Sequence, residues 1–150
     1  MPTLARNREA PYRYDLQEKV EAGIVLAGPE VKSIRAGRAS LKGSFVQFNG
    51  DTPNLVNCHI APYPMAAENP DPDRERRLLL RAAELVRLRQ ASKAAGLTII
   101  PVRLYTKGGF IKVELALARG KRKVDRRERI KQRDVQRRID RAVRSRIKRY

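Results

Sequence analysis

"PYRYDLQEKVEAGIVL", residues 11–26, alternates apolar and polar side chains over most of its length. Tyr12, Tyr14, Leu16, Val20, Ala22, Ile24 and Leu26 share one parity, interrupted only by Glu18. Arg13, Asp15, Gln17, Lys19 and Glu21 share the other. A period of two sends successive side chains to opposite faces, so the stretch predicts one long, half-buried strand. Tyr12 and Tyr14 carry the apolar parity and are expected in the core. Gly23 is where a bend or bulge is expected, as at a barrel corner.

Working outward, "GPEVKSIRAG" (28–37) predicts a short helix over 29–36. Pro29 suits a first helical position, and Val31 and Ile34 give i, i+3 apolar spacing. Glu30 meets the positive end of the helix dipole, worth about 0.3–1 kcal/mol. Gly37 can close the helix in a left-handed cap. In "GSFVQFNGDTPNLVNCHIAPY" (43–63), Asn49-Gly50-Asp51 separates two runs of strand formers and predicts a hairpin. "NPDPDRE" (69–75) has loop composition, and Leu78–Leu80 suggest a short strand. "RAAELVRLRQASKAAG" (81–96) turns helical, with Ala82, Leu85, Leu88, Ala91 and Ala95 on one face. "LTIIPVRLYTKGGFIKVELALARG" (97–120) is a second hairpin, turning at Lys107-Gly108-Gly109. About six strands and two or three short helices point to a mainly β protein, a six-stranded antiparallel OB-type barrel; an open α+β sheet is the alternative.

The net charge of +18 is unevenly placed. Residues 119–150 hold 16 Lys/Arg against 4 Asp/Glu, while residues 1–118 hold 18 against 12. The expected organisation is an N-terminal arm (1–10), a barrel (11–118) and a basic tail (119–150). In the tail, Ile130, Val135, Ile139, Val143 and Ile147 form a narrow apolar stripe on an otherwise cationic helix. Alone it buries too little to offset ordering entropy and its own repulsion. The tail is therefore expected to be disordered when free and helical on a polyanion. Its stripe lacks Trp, Phe and Leu, and its 12 Arg against 4 Lys favour bidentate phosphate binding over a membrane surface. RNA is the expected polyanion.

No apolar run reaches membrane-spanning length, and "MPTLARNREAPYRY" (1–14) has no leader-like apolar core, so a cytoplasmic protein is expected. A single cysteine, Cys58, cannot form an internal disulfide and fits a reducing compartment. With one His beside it, a zinc site is not expected. Asp71, Asp73 and Glu75 alternate like metal ligands, yet Arg74, Arg76 and Arg77 lie among them and no EF-hand spacing follows, so a solvated loop is expected. His59 has no recognisable nucleophile context and reads as a structural histidine near a strand end. Tyr12, Tyr14, Phe45, Phe48, Tyr63, Tyr105 and Phe110 are candidate base-stacking platforms, most of them expected in the core. No enzyme, cofactor or metal is expected.

The blocks "NREAPYRYDLQEKVEAGIVLAGPEVKSIRAG", "HIAPY", "DPDRERRLLL", "KGGFIKVELALARGKR" and "VDRRERIKQRD" resemble, in order, the bacterial SmpB (SsrA-binding protein) family, from about Asn7 to beyond Arg133. The resemblance implies a six-stranded OB-type barrel with a C-terminal tail that binds the tRNA-like domain of tmRNA. With alanyl-tmRNA and elongation factor Tu carrying GTP, such a protein enters stalled 70S ribosomes. Its barrel stands in for the missing part of the tRNA, and its tail becomes helical in the empty mRNA channel. The outcome is trans-translation: peptide tagging and ribosome release, by a protein that is itself not an enzyme and is expected to be a monomer. The resemblance implies tmRNA contacts at Asn7, Arg8, Glu21, Leu79 and Arg81. It implies ribosome contacts at Gly120, Lys121, Arg122, Asp125, Arg126, Arg127, Ile130, Lys131 and Arg133. Tyr12 stands where the family commonly has His, Arg81 where it has His or Asn, and Val135 where some members have an aromatic residue.

From pattern alone, Glu21 is either a surface ion pair with Lys19 or Arg13 or a selector that accepts base amines and repels phosphates. The resemblance favours the second. The alternative functions are a ribosome-associated structural RNA binder that needs no tmRNA, and a metal-dependent nuclease using Asp71.

Overall fold

The computed structural model describes residues 2–94 and 96–120. Expectations for 121–150, including the tail's order and every ribosome contact except Gly120, lie outside the described residues. The elements are β1 (Thr3–Arg6), α1 (Ala10–Arg13), β2 (Tyr14–Ile24), α2 (Gly28–Arg35), β3 (Ala39–Ser40), β4 (Phe45–Asn49), β5 (Thr52–Val56), β6 (His59–Ile60), β7 (Arg76–Leu79), α3 (Ala82–Ser92), β8 (Leu97–Lys107) and β9 (Phe110–Gly120). Seven strands form one sheet in the order β1-β8-β9-β2-β7-β5-β4, and β3 pairs with β6. Every pairing is antiparallel. The mainly β, antiparallel class expected from the sequence is therefore the class found. The six strands from β8 round to β4 curl so that β4 returns alongside β8, without a ladder between them. Three strands, β1, β3 and β6, add to the expected six.

The long strand differs from its sequence pattern in two ways. It begins at Tyr14 rather than Pro11, because Ala10–Arg13 form one helical turn with Pro11 near its start. That turn rotates Tyr12 out to 77% exposure, so Tyr12 is not a core residue. Second, the β2–β9 register shifts between Leu16 and Lys19, not at Gly23. The extra residue reverses the parity of the strand. Tyr14 and Leu16 consequently pack with Ala10, Ile100 and Ala118, while Val20 and Ala22 join the main core with Ile34, Leu55, Leu104, Val113 and Leu115. One apolar stripe in the sequence serves two clusters, and Glu18 marks the break.

Other signals map directly. Gly37 has φ +77°; its N–H donates to Ile34 O at 3.0 Å, and Arg38 N–H donates to Ser33 O at 2.9 Å, which is a Schellman closure. Gly108 and Gly109, both at positive φ, form the two-residue turn between Lys107 and Phe110. α3 turns Leu85, Leu88 and Ala91 inward, but Ala82 is exposed at its first turn. The segment expected as an N-terminal arm contains β1, paired with β8 from Thr3 to Arg6. Asn7 extends that attachment: its backbone N–H donates to Val102 O at 2.8 Å and its side-chain Nδ2 to Pro101 O at 3.0 Å.

Candidate nucleic-acid interface

The outer face of β8, β9, β2 and β7 collects most of the charged side chains these strands carry. Antiparallel partners share a face, so register fixes the layout. Glu21 lies opposite Glu114, Gly23 opposite Lys112, and Gly23 also opposite Leu79. On the other side of β9, Arg103 lies opposite Glu114, Tyr105 opposite Lys112 and Lys107 opposite Phe110. The inward set between them is Ala22, Leu104, Ile111 and Val113, all core.

Glu21 is held from β8, not by Lys19 or Arg13. The Tyr105 hydroxyl donates to its Oε2, and Lys107 Nζ lies 3.2 Å from Oε1 and 3.3 Å from Oε2. The Tyr105 hydrogen bond outweighs burial and, with Lys107 and Lys112, keeps the Glu21 carboxyl below the ordinary 4.5. Burial, and then donation to Glu21, pushes the Tyr105 phenol well above its ordinary range. The Tyr105 ring is roofed by the Arg103 guanidinium at 4.3 Å, and Arg103 Nε donates to Glu114 at 3.2 Å. Lys19 completes the row at 3.8 Å from Glu114. The result is a fixed acceptor, ionised at neutral pH, set among four cations. Tyr105, a stacking candidate from its residue type, serves instead as the hydroxyl that orients Glu21.

Leu79 is exposed beside Gly23; a Cβ at position 23 would sit 3.3 Å from Leu79 Cβ and 3.7 Å from Lys112 Nζ. Glycine therefore leaves a shallow floor between them. Arg81 is exposed at the N-terminus of α3, where its carbonyl accepts from Leu85 N–H at 2.9 Å. Arg8 is exposed. Asn7, at 8% exposure, has its side-chain N–H committed to Pro101 O. Gly120 ends β9 opposite Tyr14.

Sequence reasoning missed a second constellation that fixes the loop before β7. Glu30 is 3% exposed and Arg76 0%. Glu30 Oε1 accepts Ala27 N–H at 2.9 Å and Arg74 Nη2; Oε2 accepts Arg74 Nε at 3.2 Å and Arg76 Nε and Nη2 at 2.8 and 2.6 Å. Arg76 also donates to the Cys58 and Pro72 carbonyls. Burial opposes ionisation of Glu30, but Arg74, the Ala27 N–H and Arg76 overcome it and leave the carboxyl below 4.5. Glu30 is thus far more than a helix-dipole acid. The signal was there in an acid at the third helical position, but nothing local identified Arg76 as a buried partner 46 residues on. In the same loop, Asp71 Oδ1 accepts Asp73 N–H at 2.9 Å, and Asp73 meets His59 Nδ1 at 2.8 Å. His59 opens β6, and its contact with Asp73 ties that strand to the loop before β7. Neighbouring Cys58 is pushed up to about 11 by burial.

A curled antiparallel β body with a cation-rich sheet face, in a chain of net charge +18, defines a nucleic-acid-binding class of protein. The SmpB protein family model matches residues 4–145, and the chain belongs to that family. It is 47% identical to the SsrA-binding protein of Chloroflexus aggregans, over 97% of this chain and 93% of that protein. Its identity to the SsrA-binding protein of Rubrobacter xylanophilus is 46%, over 99% and 100%. A solved structure described as "tmRNA-SmpB: a journey to the center of the bacterial ribosome" superposes with a TM-score of 0.67 at 45% identity, covering 79% of this chain and 84% of that one. Among the described residues, no helix is long and apolar enough to cross a membrane.

Proposed function

We propose that the protein binds the tRNA-like domain of tmRNA and delivers it to stalled ribosomes for trans-translation. Family membership and the names of its relatives support this reading. The observation in the chain itself that carries it is the Glu21 carboxylate, oriented by Tyr105 and Lys107 on a cationic sheet face. A fixed, ionised acceptor suits base amines and excludes phosphate oxygens, while the surrounding cations suit the backbone. Glu21, Leu79, Arg81 and Arg8 form the contact set; Asn7 acts by fixing the end of β1. Because β9 runs to Gly120, two residues past the boundary expected at 118, the body that recognises folded RNA is taken as 1–120, and the cationic tail from Lys121 onward docks on rRNA with a steep salt dependence. Alanyl-tmRNA links the complex to elongation factor Tu and GTP, and the protein works as a cytoplasmic monomer without catalysing a reaction.

The test is tmRNA binding by Glu21→Lys. Weakened binding is expected; tighter binding would mean that bulk charge governs and that Glu21 is no selector. Pull-down of the full chain with RNA sequencing separates the tmRNA reading from a purely ribosomal one: enrichment of one tRNA-like RNA supports the former, and rRNA alone the latter.

A further inference from the structure

Among the aromatic residues described, two are largely exposed: Tyr12 and Phe110, the latter at 71%. A lone exposed apolar side chain means little. Phe110 differs in its position. It opens β9 directly opposite Lys107, the residue whose ammonium grips Glu21. Lys112 follows two residues later on the same face, about 7 Å along the strand. Lys112 lies over Gly23, beside exposed Leu79. Tyr12 stands instead on the α1 turn, before β2 opens at Tyr14 and nine residues ahead of Glu21.

The support under Phe110 is firm. The Gly108–Gly109 turn is fixed by the β8–β9 register and braced from α2, where Arg35 Nη2 donates to Gly109 O at 3.1 Å. An aromatic ring on a braced hairpin, with two lysines beside it on the same face and a carboxylate held by one of them, matches what an unstacked nucleotide presents: a π face, adjoining phosphates and an edge amine. Resting on the reading of this face as the RNA interface, we propose that Phe110 is a stacking platform for an unstacked base of the bound RNA. Lys107 and Lys112 flank that base's phosphates, and Glu21 lies within the same face to accept an amine.

The experiment uses the full chain with the tRNA-like domain of tmRNA. Stacking on an aromatic side chain is typically worth about a 5- to 150-fold change in affinity. Phe110→Ala and Phe110→Leu are expected to bind at least about 5-fold more weakly, with urea midpoints unchanged because the ring is exposed. Phe110→Trp is expected to bind like the parent. Since the chain contains no tryptophan, the fluorescence of that variant reports on the platform alone and should be quenched by RNA. Parent-like binding by Phe110→Leu, or unquenched indole fluorescence of the Phe110→Trp variant in its complex, overturns the proposal. Glu21→Gln distinguishes the two levels. Weakening there with parent-like Phe110→Ala overturns the platform and leaves the interface standing; parent-like binding by both overturns the interface as well.

Discussion

Replacing Glu30 by Gln keeps the shape of the side chain and removes its charge. Arg76, fully buried, then loses its counter-ion, and Arg74 loses its partner. Breaking a buried pair from one side typically costs about 3–5 kcal/mol, because the remaining charge stays desolvated. A dipole-only role for Glu30 would cost about 0.3–1 kcal/mol, so the two readings separate cleanly. Equilibrium urea unfolding measures the difference. With a slope of about 1.5–2 kcal/mol/M, the buried-pair reading lowers the midpoint by about 2 M. The pH dependence gives a second readout. The Glu30 carboxyl titrates below 4.5 when folded, so its stabilisation is complete above that ordinary value and is lost as pH falls through the lower folded one. The acid limb of the stability profile should shrink in Glu30→Gln. Glu30→Gln with Arg76→Met removes both charges and should recover much of the loss. A single-variant cost under about 1 kcal/mol, or no recovery in the double variant, would refute the argument that this pair anchors the loop before β7 to α2.

Truncation after Gly120 should leave binding of the tRNA-like domain largely intact, flatten its salt dependence and abolish tagging on stalled ribosomes; parallel loss of binding and tagging would contradict the division between body and tail. Tyr105→Phe should raise the Glu21 carboxyl toward 4.5, read by carboxyl NMR titration, and weaken RNA binding; an unmoved titration would show that Lys107 alone orients Glu21. Cys58, buried and pushed up to about 11, should react with a thiol reagent at neutral pH only on unfolding; prompt labelling of the native protein would contradict its burial.

Local chemistry was legible where local chemistry decides. Gly37 closed α2 and Gly108–Gly109 turned the hairpin, each at the positive φ that glycine permits. The alternation in residues 11–26 was equally clear and yet misplaced Tyr12. A single inserted residue and one helical turn change which way a side chain points without changing the pattern.

By itself the sequence determined the antiparallel β class, the basic balance and the resemblance to the SmpB family, because periodicity, composition and ordered motifs are properties of the chain alone. Only the tertiary structure decided the two glutamates. Glu21 meets Tyr105 and Lys107 across the sheet, and Glu30 meets Arg74 from the loop before β7 and Arg76 from β7 itself, both more than forty residues away. The physical reason is that a carboxylate's role depends on which donors approach it and how far water is excluded, and strand register and loop packing set both. The same register left Phe110 exposed beside Lys107, on the face that Glu21 marks.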